Sequence, residues 1–214
     1  MGERLDIRLA QLVCSRLCHD LAGLAGAIAN GVDLVAESIS GADAEAVALI
    51  GQSARQANAR IAFFRTAFGA NAPAQSLADI AALAEAMLAG GPARFLPLSS
   101  ASARARIAPD GVRLALALVM VGAGALPRGG TIQIEAAEID EGIGMSLTAS
   151  GTGAVIKPEI AAALEGTRAP ETLSPREVHA LWAGMIAGGI GGKVEMAKGE
   201  NSVRLAALLP RNPP

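Results

Sequence analysis

Residues 15–31 read Ser-Arg-Leu-Cys-His-Asp-Leu-Ala-Gly-Leu-Ala-Gly-Ala-Ile-Ala-Asn-Gly, and this stretch decides the architecture. At roughly 100° per residue on an α-helix, Leu17, Leu21, Leu24 and Ile28 fall within about 60° of one another and form an apolar stripe. His19 lies about 160–180° from the middle of that stripe, so its imidazole faces outward. Its neighbours on that face are small or polar: Ser15, Gly23, Gly26 and Asn30, with Arg16 beside them. A histidine on a bare helical surface meets a large partner without steric obstruction, a geometry that suits a phosphoryl carrier. The competing readings are a merely solvated histidine and a metal site shared by Cys14, Cys18 and His19, since positions i and i+4 share a face. The metal reading is short of ligands: the only other histidine is His179 and there is no further cysteine, so a closed tetrahedral shell needs carboxylates. Two cysteines one helical turn apart, with no others, form no disulfide framework.

The same periodicity extends outward. Ile7, Ala10, Cys14, Leu17, Leu21, Leu24, Ile28, Gly31 and Val35 alternate in steps of three and four, as do Val47, Ile50, Ala54, Ala57, Ile61, Phe64 and Phe68. This is the signature of coiled-coil-like packing. The link over residues 38–43 is short and makes the two helices antiparallel neighbours. A two-helix hairpin alone buries too little surface to be stable. Either a second copy or the rest of the same chain must cover its seam, and the regular heptads favour a dimeric four-helix bundle.

Composition bounds the function. The 214 residues are 51% hydrophobic and only 2% aromatic, so a core is assured while stacking platforms for nucleic-acid bases are absent. A net charge of −2 gives no electrostatic case for a polyanion or an acidic membrane. The uncharged runs 114–127 and 178–192 fall short of the roughly 20 residues that span a bilayer. The first residues lack the layout of a secretion signal. A soluble, cytoplasmic protein without nucleic-acid or membrane partners is expected.

The sequence over 71–74, Asn-Ala-Pro-Ala, breaks the second helix and separates a helical unit (1–72) from a second unit (73–214). A helix over 76–89 opens with Ser76 as N-cap and Asp79 in its first turn. Residues 94–98 read as a strand. Pro109 and Asp110 open a helix to about Leu126. Residues 131–136 and 143–148 alternate as a hairpin about the Asp140-Glu141-Gly142 turn. A capping box at Ser174–Glu177, with Pro175 first, opens a last helix to about Ile190. Strands over 193–197 and 202–209 close the chain. Helices with mostly antiparallel strands in this order imply a two-layer α/β sandwich, and with the hairpin an α+β fold.

The residues 15–21 together with 26–31 resemble the histidine box of the ChpT-type histidine phosphotransferases of bacterial phosphorelays. These proteins are similar to histidine kinases without ATP binding. The run from His179-Ala180-Leu181-Trp182 through 191–196 to Leu208-Leu209-Pro210 resembles the last helix and hairpin of the GHKL-type kinase ATPase domain, so the likeness spans essentially the whole chain. It also shows departures. The helix that would offer asparagines to magnesium and phosphate reads Leu116-Ala117-Leu118-Val119-Met120-Val121-Gly122-Ala123-Gly124-Ala125. The Asp-x-Gly-x-Gly element is Ala149-Ser150-Gly151-Thr152-Gly153, where Ala149 accepts no side-chain hydrogen bond from adenine. No glycine-rich lid precedes the last helix, where Leu173-Ser174-Pro175 stands instead. A degenerate ATPase-like sandwich that binds no ATP is expected.

The resemblance implies that His19 takes a phosphoryl group from a receiver-domain aspartate of a hybrid histidine kinase and passes it to the receivers of response regulators. The receivers supply the acidic pocket and the Mg²⁺, so the chain itself needs no cofactor or metal, and its task is positioning. Nε2 would attack as the neutral imidazole, while Asp20 accepts from Nδ1–H and takes up the developing charge. Arg16 would offset phosphoryl charge or pair with a receiver acid, and Gly23 and Asn30 would belong to the docking face. His179 is expected to be structural and dispensable. Two rival functions stand beside this one: a non-catalytic dimeric adaptor that docks receivers, and a divergent ATP-dependent histidine kinase.

Overall fold

The computed structural model describes residues 2–37, 44–70 and 72–211, the side chains of residues 2–6 and of Pro170 excepted. The predicted link over 38–43 and the helix-breaking Asn71 lie outside the described residues. Two long helices, α1 (Gly2–Glu37) and α2 (Ala44–Phe68), pack side by side as the hairpin. They pack closely at Gly31, where a Cβ would stand 2.6 Å from Cγ1 of Ile50, so a larger residue there would have to push that side chain aside.

The rest of the chain forms a helix layer on a five-stranded sheet. The elements are β1 (Gln75–Ser76), α3 (Leu77–Leu88), β2 (Ala93–Phe95), α4 (Ser100–Ala103), β3 (Arg106–Ile107), α5 (Pro109–Gly124), β4 (Gly130–Ile139), β5 (Gly142–Ser150), α6 (Pro158–Leu164), a 3₁₀ turn (Pro170–Thr172), α7 (Val178–Gly189), β6 (Glu195–Lys198) and β7 (Ser202–Pro210). The sheet order is β2-β4-β5-β7-β6, parallel at β2-β4 and antiparallel elsewhere, with β1 and β3 a separate short pair. Alternation explains the buried face: Ile132, Ile134, Leu147, Ala149, Val203 and Leu205 point to the helices, while Gln133, Thr148 and Arg204 occupy the other side. Helix α5 is buried nearly all round from Val112 to Gly122, as expected of a helix apolar on every side that runs between a sheet and other helices.

Local chemistry sets the boundaries. Ser76 caps α3: its hydroxyl accepts from the Asp79 N–H, and the Asp79 carboxylate accepts from the Ser76 N–H. The Ser76 hydroxyl, which also donates to Asp79 Oδ2 at 2.6 Å, and then the Ser76 N–H hold the Asp79 carboxyl below its usual pKa. At α7 the expectation is corrected. The helix begins at Val178, because residues 175–177 form an isolated turn in which Glu177 accepts from the Ser174 N–H and from Arg168. Strand β2 is also shorter than the predicted 94–98, and the short helices α4 and α6 went unpredicted.

The apolar stripe of the hairpin differs from a uniform heptad seam. Over residues 17–31 the expected positions Leu17, Leu21, Leu24, Ile28 and Gly31 are half-buried or buried. Nearer the N-terminus the buried face swings about 90° round the helix, to Leu9, Leu12 and Asp20, leaving Ile7, Ala10 and Cys14 exposed. The cause is the α/β body: Leu9 and Leu12 of α1 and Phe63, Phe64 and Ala67 of α2 share one buried cluster with α5 and α7. Three donors fasten this end to backbone carbonyls. Arg8 Nη2 donates to Leu173 O (2.8 Å), Trp182 Nε1 to Ala67 O (2.8 Å), and Arg113 to Gly69 O (3.1 Å) and Ala70 O (2.6 Å). Ala67 O is one of the carbonyls a helix C-terminus leaves unpaired, and Gly69 and Ala70 follow directly after it. At the other end of the hairpin Val32, Leu34, Val47 and Leu49 stay exposed, each more than 40% accessible, as does Ile61 beside Arg60 nearer the body.

Over residues 7–37, α1 is also long and apolar enough to cross a bilayer by length and composition. Uncharged runs alone did not reveal this, because Arg8, Arg16, Asp20 and Asp33 interrupt it.

Candidate active site

His19 stands on α1 with 84% of its side chain exposed, and Asp20 beside it is 9% exposed. One step along a helix turns the side chain by about 100°, which takes the carboxylate from the open face to the junction with the body. His19 Nδ1 lies 3.2 Å from Asp20 Oδ1. A carboxylate only accepts, so this contact keeps the proton on Nδ1 and leaves the Nε2 lone pair toward solvent.

Asp20 is held from two sides. Arg16 Nε donates to Asp20 Oδ2 at 2.8 Å, an i,i+4 pair on the inner face of α1. Arg60 Nη1, from α2, donates to the Asp20 backbone carbonyl at 2.6 Å. Arg16 therefore points its guanidinium at Asp20, and not across the open face. A charge-assisted pair with one partner nearly buried is stronger and better fixed than an exposed one. Gly23 and Asn30 are exposed one turn and three turns beyond His19, and a Cβ at Gly23 or Gly26 would meet nothing within 4 Å. The surface around the imidazole is bare.

His179, near the start of α7, is 6% exposed, and its Nδ1 has no hydrogen-bond partner among the described residues. Burial pushes its pKa down from 6.5 to about 4; the Arg16 charge pushes the same way and the Asp20 charge opposes. The second histidine is thus a neutral, interior neighbour of the Arg16–Asp20 pair. Cys14 and Cys18 are free and exposed, and among the described residues no group of three or more metal-ligating side chains gathers. Ala149 is buried between Ile132 and Val203 in the sheet. The Gly153 N–H faces Asn201 Oδ1 at 3.4 Å, so the segment 151–153 works as a turn tied to the β6-β7 loop.

Sequence reasoning missed Arg60 and the nearness of His179. Arg60 had a readable signal: in an antiparallel hairpin turning over 38–43, residues 20 and 60 stand almost equally far from the turn. For His179 there was none, because its place depends on how α7 docks.

The family described as "Histidine phosphotransferase C-terminal domain" matches residues 77–202. Protein phosphotransferase ChpT of Brucella abortus (strain 2308) is 31% identical over 191 residues, covering 88% of this chain and 89% of that protein. A bacterial phosphotransferase of known structure at 1.7 Å resolution matches with a TM-score of 0.81 and 29% identity, over 94% of this chain and 96% of the other. The helical hairpin, the mixed sheet and near-complete coverage in both directions agree: the chain belongs to the ChpT-type histidine phosphotransferases, the phosphotransfer proteins of phosphorelays.

Proposed function

We propose that His19 is the phosphoryl-carrying residue and Asp20 its catalytic partner. The observation that carries this reading is the pairing of an 84% exposed imidazole with a nearly buried carboxylate fixed from behind by Arg16. Nε2 attacks the phosphorus of an aspartyl phosphate on a receiver domain; the P–O bond to the aspartate breaks and its carboxylate leaves. The imidazole then carries the phosphoryl group on Nε2 and the proton on Nδ1, and Asp20 stabilises the positive ring. A second receiver aspartate attacks the same phosphorus, the N–P bond breaks and the neutral imidazole returns. Receivers of a hybrid histidine kinase and of response regulators fill the two roles and bring the Mg²⁺. This chain supplies position and a fixed tautomer.

Gly23 and Asn30 belong to the docking face in this reading, while Arg16 acts by holding Asp20. Residues 1–72 form the phosphotransfer and dimerisation unit, and 73–214 a degenerate ATPase-like unit. Support for the degeneracy comes from the buried apolar α5 and from Ala149 packed inside the sheet. The exposed Val32, Leu34, Val47 and Leu49 support a homodimer in which a second hairpin covers the end that the body leaves bare. The protein then works in the cytoplasm, where receivers reside.

The test is transfer from a phosphorylated receiver to the wild type, His19→Ala and His179→Gln. Acid-labile label on the first and third only is the expected result. Label on none, despite receiver binding, would leave the chain a docking adaptor. Light scattering checks the dimer, and a stable monomer would sink that part.

A further inference from the structure

A cavity of about 660 Å³ opens where the hairpin meets the body, between α2, the 88–92 turn, the C-terminal half of α5, the start of α6 and the approach to α7. Its charge is one-sided. Arg16, Arg60, Lys157 and Arg176 line it against Glu159 and Glu177, and Glu177 is already engaged by Arg168 and the Ser174 N–H. Among the described residues, Lys157 and Arg176 have no carboxylate partner, and Arg60 binds only a backbone carbonyl. The remaining wall is apolar, with Leu88, Val121 and Ile160. The buried His179 also lines it.

We propose that this cavity binds a small organic anion, a phosphate, sulfonate or carboxylate head on an apolar body, and that its occupancy is read by the phosphotransfer site through Arg16. The volume lies in the range of small-molecule sites and far exceeds a bare phosphate, so an apolar body is required to fill it. The unpaired cations select the head. Arg16 belongs both to this wall and to the Asp20 pair 2.8 Å away. An anion that draws the guanidinium inward takes from Asp20 the cation that fixes it, and with it the support of the His19 ring. The link to transfer rests on the reading of His19 given above; the binding does not.

The probe is 8-anilinonaphthalene-1-sulfonate, titrated by fluorescence into the full chain, with phenyl phosphate as displacing ligand. One saturable site is expected, weakened at least tenfold in the double variant Lys157→Glu, Arg176→Glu, both residues being exposed. Leu34→Lys, on the bare end of the hairpin, should leave it unchanged. Phenyl phosphate at saturation should slow receiver-to-protein transfer at least threefold in the wild type and not in the double variant. Binding that survives the charge reversal, or disappears with Leu34→Lys, overturns the site. Binding with unaltered transfer overturns the link through Arg16. Should His19→Ala retain label, the reading of the transfer site fails while the binding result stands.

Discussion

Acidification from pH 7.5 to 4.5 should unfold this protein more readily, and His179 should be a principal cause. Its ring is 6% exposed and its pKa is lowered from 6.5 to about 4 by burial, with the Arg16 charge adding to it. The unfolded chain therefore takes up a proton near pH 6.5 that the folded chain refuses until about pH 4. Between those values the unfolded state binds more protons, so stability falls as the pH falls; above them the group contributes no slope. At about 1.4 kcal/mol per pH unit, the whole window is worth at most roughly 3.5 kcal/mol. That is a large share of the 5–15 kcal/mol typical of a folded domain. Urea unfolding at half-unit steps of pH, for the wild type and for His179→Gln and His179→Leu, measures the difference directly. The wild-type curve should drop away from both variants between pH 6.5 and 4 and run parallel to them above pH 7. Parallel curves throughout would refute the argument and mean that the ring protonates inside the fold at little cost.

Asp20→Asn keeps the shape and removes the charge. Transfer should fall at least tenfold with receiver affinity little changed, and stability should fall by about 2 kcal/mol from the weakened Arg16 pair; calorimetric binding alongside rapid-quench transfer separates the two. Gly23→Trp places bulk one turn from His19 where a Cβ meets nothing within 4 Å. Its melting temperature should match the wild type or exceed it, since glycine costs a helix about 1 kcal/mol, while receiver binding weakens at least tenfold. Gly184→Ala would drive a methyl group into the Leu164 carbonyl oxygen where α6 crosses α7. A loss of about 2 kcal/mol is expected, seen as a melting-temperature drop of roughly 4–8 °C; an unchanged melting curve would mean that α6 moves aside freely.

The long-range arrangement was least visible in the sequence, and the local chemistry most. Ser76 and Asp79 cap α3 with groups three residues apart, so that boundary could be read directly. The alternation over 131–136 and 143–148 named the hairpin, because a pleated strand has a period of two. The start of α7 was misread because Ser174 and Glu177 do interact, but within a turn that Arg168 pins before the helix begins. Two overlapping demands obscured the hairpin seam. Leu17–Gly31 satisfies its partner helix, whereas Leu9 and Leu12 satisfy a body that sequence periodicity could not locate. The exposure of His19 followed from the helical wheel alone. That Asp20 is buried, and braced from α2 by Arg60, required the tertiary contact between positions 40 residues apart.

Helix α1 has 36 residues, about 54 Å at 1.5 Å per residue, and His19 lies close to its midpoint. Up to Asp20 the helix is fastened to the body; beyond it the only buried α1 residue among those described is Gly31, which faces Ile50 of α2. Mechanically the hairpin is a cantilever rooted at the α/β layer, and the residue pair that holds the imidazole sits at the root. Any load on the free end acts there with leverage. A second hairpin clasping that end would turn the cantilever into a beam supported at both ends, and assembly state and stiffness at His19 would then be a single variable.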